Sequence, residues 1–168
     1  MFAIALTLSA ISVPAVRTFS NMQKASSAAR LVERQLQTAR LKAVTISRSI
    51  RVRFSCPSAG KMRLLELTGV ATTDNATNRC EPTAYPFPGV NDALRSTPSH
   101  DSPVVDLPSG TTVAGTVLQF EFNPSGAVYA VATNGTVSLI DADVTLTVTR
   151  TGFSKTITIT GLGRVRIS

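Results

Sequence analysis

The chain has no tryptophan, few aromatics and a single histidine, His100. Aromatics are 5% of 168 residues, which speaks against a deep enzyme core. Abundant Thr, Ser, Ala and Val favour a β-rich domain of small and branched side chains. One histidine and two cysteines, Cys56 and Cys80, are too few for a zinc site. The cysteines are read as a disulfide formed in an oxidising compartment. Two buried free thiols acting as small hydrophobes are the alternative. Acid is scarce in the first third: Arg17 to Arg63 holds eleven Arg or Lys residues against one carboxylate, Glu33. Most acids fall between Asp74 and Asp143, so the net charge of +7 is distributed unevenly along the chain. The length fits one domain with a modest core.

Residues 1–16 carry no charge and form an apolar run interrupted by Pro14. This is short of the ~20 residues that cross a bilayer, and no basic n-region precedes it. The pattern then continues as helix. Phe19, Met22, Ala25, Ala29, Val32, Leu36, Ala39, Ala43 and Ile46 recur every three or four residues, while Arg17, Lys24, Arg30, Arg34, Arg40, Lys42 and Arg48 supply polar surface. One helix over roughly residues 2 to 48 is predicted, loosened near Pro14 and on the order of 70 Å long. That is more helix than a domain of this size needs for its own core, so partners are implied. The division is a partial transmembrane segment over 1–16, an amphipathic continuation over 17–49 and a β-rich head over 50–168. A signal peptide followed by an ordinary amphipathic helix is the competing reading, and with it goes a secreted β-domain that binds a surface ligand.

After Ser49 the period becomes two. Ile50, Val52 and Phe54 alternate with Arg51, Arg53 and Ser55, predicting a half-buried strand with a basic outer face, and Lys61 to Leu67 returns beside it. Residues 69–110 are rich in Pro, Asn, Asp, Ser and Thr and form a variable excursion. Strands follow over Thr116–Phe122, Ala127–Ala132, Thr136–Ile140, Val144–Arg150, Ser154–Thr160 and Arg164–Ile167. Asn123 to Gly126 reads as a tight turn and Asn134-Gly135 as a type I′ hairpin. The fold class is α+β, with the long helix covering the apolar face of an antiparallel head that has one wet face.

No catalytic constellation is present, and neither a cofactor nor a small-molecule substrate is expected. His100 lacks the neighbours that would make it a base. Asp141 and Asp143 have the spacing of metal-facing carboxylates, yet flank a turn where Asp bonds local backbone. Asn75-Ala76-Thr77 and Asn134-Gly135-Thr136 fit a glycosylation pattern that is frequent by chance. At the C-terminus, Arg164 and Arg166 project to one side of a strand and, with Lys155 and Arg150 near in sequence, could contact phosphates. Outward arginines that protect an edge strand are the other reading.

Four stretches then resemble a known superfamily. Ala3 to Pro14 resembles the second half of the apolar segment of type IV pilins and pseudopilins. Ala39-Arg40-Leu41-Lys42-Ala43-Val44 with Arg51-Val52, Phe122-Asn123-Pro124-Ser125-Gly126 and Gly163-Arg164-Val165-Arg166 are similar to later motifs of the class holding the type II secretion H pseudopilin and the minor pilin FimT. The leader glycine and the early glutamate of that superfamily have no counterpart, so the chain is expected to start inside the mature protein of such a subunit. The resemblance implies a pilin-like fold and a single-pass location in the bacterial inner membrane with a periplasmic head. Implied partners are other pilins or pseudopilins and an inner-membrane assembly platform. Ile4, Leu8, Ile11 and Pro14 are then helix-assembly residues. The role implied is protein export by a secretion pseudopilus, or, for a FimT-like pilin, pilus assembly with DNA uptake.

Overall fold

The computed structural model describes residues 2–89 and 98–168, with side chains described from residue 16 onward. Helix α1 spans Phe2–Ile46 and remains helical through Pro14. Its 45 residues make a rod of about 67 Å. It ends two residues before the expected stop because Ser47 turns left-handed (φ 53). The Ser47 N–H then donates to Val44 O and the Arg48 N–H to Ala43 O, closing the last turn as a Schellman motif.

The single-pass inner-membrane location is overturned. Among the described residues no helix is long and apolar enough to cross a membrane. The run is closed by the charge of Arg17 and carries the polar Thr7, Ser9 and Ser12, which lower its hydropathy.

The head has two antiparallel sheets rather than one. The first has the order β3-β2-β1-β5-β6-β7, built from β1 (Ile50–Phe54), β2 (Lys61–Glu66), β3 (Val105–Asp106), β5 (Gln119–Phe122), β6 (Val128–Val131) and β7 (Val137–Leu139). The second has the order β10-β9-β8-β4, built from β4 (Thr111–Gly115), β8 (Val144–Arg150), β9 (Phe153–Ile159) and β10 (Val165–Ile167). Strand β4 was not expected; its sequence TTVAG has one large apolar residue, too few for alternation to show. Helix α1 lies across both sheets, touching β1 and β5 of one and β8, β9 and β10 of the other. Ala25, Ala28, Ala29, Val32, Leu36, Ala39 and Ala43 are buried there, against Ile50, Val52, Phe120 and Phe122 from one sheet and Leu146, Val148, Ile157 and Ile159 from the other. Small alanines let the helix approach closely, and neither sheet face could be dry without it.

The turns differ from expectation in an instructive way. Gly126 and Gly135 are left-handed (φ 86 and 85) while Asn134 is not, so both loops are three-residue turns closed by a glycine. The Gly126 N–H donates to Asn123 O, and the Gly135 N–H to Ala132 O. The two-residue hairpin with both residues left-handed is instead Thr151-Gly152 (φ 44 and 83), which brings Arg150 opposite Phe153.

The excursion after β2 is structured. It contains one helical turn, α2 (Ala71–Asp74), a 3₁₀ turn (Thr77–Cys80) and β3. It packs over the outer side of β1 and β2. Strand β2 is therefore buried on both faces, with only Lys61 partly accessible.

Candidate functional site

Three surfaces carry the chemistry of this chain. The first is the leading half of α1. The apolar stripe that the head covers from Ala25 onward continues upstream as Met22, Phe19 and Val16, which are 44%, 57% and 66% exposed. The spacing does not change where the cover ends, so the sequence prepares the same face for burial in both halves. Ile4, Leu8, Ile11 and Pro14 lie on this helix; their side chains fall outside the described ones.

The second surface is the last strand pair. Arg166 pairs with Thr158, and Val165 with Ile159. Strand alternation sends Ile157 and Ile159 to the helix and Thr158 and Arg166 to the outside. Arg164 and Arg166 are both exposed and line a cleft of about 530 Å³ with Thr158, Thr160 and Asp143. Lys155 is not brought to them. It pairs with Val148 and shares the side of Ile157, so the strand points it to the helix face. Arg150, expected near this group, has its Nε and Nη1 shielded beside Gly110. Asp141 and Asp143 are exposed, and among the described residues no group of three or more His, Cys, Asp or Glu could hold a metal ion.

The third region is buried and was not foreseen. The basic outer face expected of β1 is covered at Arg51 and half-covered at Arg53, and Arg51, Arg63 of β2 and Arg79 of the 3₁₀ turn are 4%, 0% and 0% exposed. Arg79, in the 3₁₀ turn, donates to both oxygens of Asp101 and to Glu66 O, and its guanidinium lies 4.5 Å from the Tyr85 ring centroid. Arg63 donates to Ser102 O at 2.9 Å and Tyr85 O at 2.6 Å, with Asp101 3.9 Å away. Arg51 donates to Asn75 Oδ1 at 2.8 Å and lies 3.3 Å from Glu121. Asp74 accepts from the Thr68 and Gly69 N–H groups, closing the loop before α2. Glu66, at the end of β2, accepts from Arg48 and from the Ser99 and His100 N–H groups. Burial raises the Glu66 pKa, but the bonds from His100 and Ser99 outweigh it and hold the carboxyl below its ordinary value. Lys42 on α1 donates to His100 O, tying the far side of the excursion to the helix. Cys56, just after β1, is disulfide-bonded to Cys80 next to Arg79, with Cα atoms 5.2 Å apart. The signal in the sequence was the acid-rich composition of a loop following a basic hairpin.

The stretches that suggested a family also meet in space. The Arg40 guanidinium of α1 lies 3.6 Å from where a side chain at Gly126 would begin and 3.1 Å from the same point at Gly163, and it donates to Gly163 O. Gly161 has no room for a side chain, because a Cβ there would collide with Ile140 O. The helix end, the Phe122–Gly126 turn and the closing Gly-Arg pattern thus form one junction between helix and head.

Solved structures share this fold. The type IV minor pilin FimU of Pseudomonas aeruginosa (strain PAO1) superposes with a TM-score of 0.54 at 16% identity, over 89% of this chain and 92% of that one. The minor pseudopilin EpsH from the Type 2 Secretion System of Vibrio cholerae gives 0.51 at 16% identity, over 86% and 96%. At such identities the likeness is one of fold. No curated protein sequence matches the chain. Residues 28–163 do match the Type II transport protein GspH family, reaching from the covered half of α1 to the closing glycine. That match spans most of the chain, which therefore belongs to the GspH family.

Proposed function

We propose that the chain is a minor, non-catalytic subunit of a pilin-like filament, and specifically of a secretion pseudopilus that takes part in protein export. The observation that carries this reading is the uncovered half of α1. A helix that keeps its apolar stripe after leaving its own head needs another surface to bury it, and Val16, Phe19 and Met22 stay accessible in the isolated chain. Helices of sister subunits have the matching shape and chemistry, and the family match supports that identity for the partner. The boundaries follow: residues 1–16 and the adjoining turns for assembly, the remainder of α1 for holding the head, and 50–168 for side contacts. Ile4, Leu8, Ile11 and Pro14 belong to the assembly segment. The test is incorporation into filaments by the Phe19→Asn/Met22→Asn variant and by a chain lacking residues 1–16. Both should keep a folded head and lose incorporation. Normal incorporation of either would remove the helix from the assembly role.

A second reading has its own observation. Arg164 and Arg166 are exposed on one side of a cleft, a placement suited to two adjacent phosphates. In a FimT-like pilin this would bind double-stranded DNA for uptake. Arg164→Gln/Arg166→Gln should weaken binding by the full chain and lower the salt slope by about 2. An unchanged affinity at fixed ionic strength would refute it, and Lys155→Gln is expected to change little.

A further inference from the structure

Among the described residues, Arg53 is the one arginine of β1 and β2 without an ion-pair partner. It stands on the outer side of β1, opposite Arg63 on β2 and Gln119 on β5. Its three neighbours under the excursion are each engaged: Arg51 with Glu121, and Arg63 and Arg79 with Asp101. Among the described residues Arg53 makes no ion pair, and its Nη1, like Arg51 Nε, Arg63 Nη1 and Arg79 Nε, is shielded from solvent with no hydrogen-bond partner. A shielded guanidinium donor without an acceptor is costly, and native proteins rarely leave one.

The same side chain lines a cavity of about 100 Å³ between the β6–β7 turn and the loop after α2. The other walls are uncharged: the polar Asn75, Gln119, Thr133 and Asn134, with Ala132 and Gly135. Among the described residues no carboxylate lines it. The donor count is high. Asn75 Oδ1 already accepts from Arg51 and Asn134 Oδ1 from the Thr136 N–H, which turns each oxygen toward that partner and leaves the amide nitrogens free to donate. Gly135 forms one wall, where its φ of 85 suits glycine and a Cβ would come into van der Waals contact with the Asn75 amide. Burial, and then the charges of Arg51 and Arg79, push the Arg53 guanidinium below its ordinary value.

We propose that this cavity is an anion site for a single carboxylate group, held by Arg53 with the side-chain amides of Asn75 and Asn134. The volume accommodates a carboxylate and little beyond it, and the planar guanidinium matches two carboxylate oxygens in a way one water cannot. The group is either a free small carboxylate or an Asp or Glu side chain of another protein, because the chemistry presented to Arg53 is the same.

The test is thermal unfolding of the full chain in sodium acetate and in sodium chloride at equal ionic strength. A parallel arm compares a blocked Gly-Glu-Gly peptide with blocked Gly-Gln-Gly. If the free ion is the ligand, acetate raises the wild-type midpoint by about 3 °C over chloride, and Arg53→Gln abolishes the difference. Arg53→Lys, with one point charge in place of a fork, should keep less than half of it. If the ligand is borne by a protein, acetate is silent and only the Glu peptide raises the midpoint, again through Arg53. A midpoint that neither probe moves, or a rise that persists in Arg53→Gln, overturns the proposal. In chloride alone Arg53→Gln should melt at or above wild type, because an unpaired cation facing Arg63 is removed. A marked fall would instead assign Arg53 a structural role and also overturn it.

Discussion

The two sheets of the head share one helix and treat their other faces in opposite ways. The six-stranded sheet carries Arg51 and Arg63 outward on β1 and β2 and buries them beneath the excursion, with Glu121 and Asp101 supplying the opposing charge. The four-stranded sheet turns out Thr145, Thr147, Thr149, Ser154, Thr156 and Thr158 and leaves them uncovered, in cross-strand rows such as Thr147 opposite Thr156. Charge needs a geometrically defined cover, whereas hydroxyls are satisfied by water or by one another, as in the 3.2 Å contact of Thr149 with Ser154. The ionic face therefore specifies how the excursion folds, and the threonine face specifies little beyond its own ladder.

Breaking the covered face should cost most. Arg79→Met strands the buried Asp101 carboxylate beside a single remaining arginine and is expected to lower unfolding free energy by about 3 to 5 kcal/mol in urea titrations. A loss under about 1 kcal/mol would mean that Arg63 alone neutralises Asp101. Replacing Cys56 and Cys80 by Ser opens the crosslink between residues 24 apart and should cost about 3 kcal/mol, measured in the same way. Equal stability of oxidised and reduced protein would contradict that. Glu66→Gln should cost about 1 to 3 kcal/mol at neutral pH. Because its folded pKa lies below the ordinary 4.5, the contribution of Glu66 is complete above that value and is lost as pH falls through the folded pKa. Wild type should thus lose stability more steeply than Glu66→Gln below pH 4.5, and parallel acid curves would count against the bonds from Ser99 and His100. On the bare face, Thr147→Val/Thr156→Val should change stability by less than about 0.5 kcal/mol per site. A larger loss would show that the threonine rows are energetically coupled.

The legible parts of the molecule were those with a period. The stripe from Phe19 to Ile46 and the alternation in Val144–Arg150 fixed the helix and the strands beneath it, since burial of one face is a local pattern. Alternation also marked Arg51 and Arg53 as facing away from the core, which is correct. What it cannot report is whether a segment dozens of residues later returns to cover them. The covering loop has no period of its own, because its order comes from ion pairs, the Cys56–Cys80 link and bonds such as Asp74 to Thr68. Lys155 shows the reverse error: nearness in sequence to Arg164 grouped it with residues that the strand sends to the other side. Of the turns, Thr151-Gly152 was hidden because Thr seldom adopts positive φ, and only the hairpin register requires it there.

Helix α1 also has a mechanical meaning. It packs along both sheets, so tension applied to its leading end and directed along its axis is shared by β1, β5, β8, β9 and β10 together. Such a load slides one surface past another instead of opening a ladder bond by bond, and the Arg40 junction with Gly126 and Gly163 acts as a catch near the far end of the slide. A subunit held by its protruding rod could then carry force without surrendering its head.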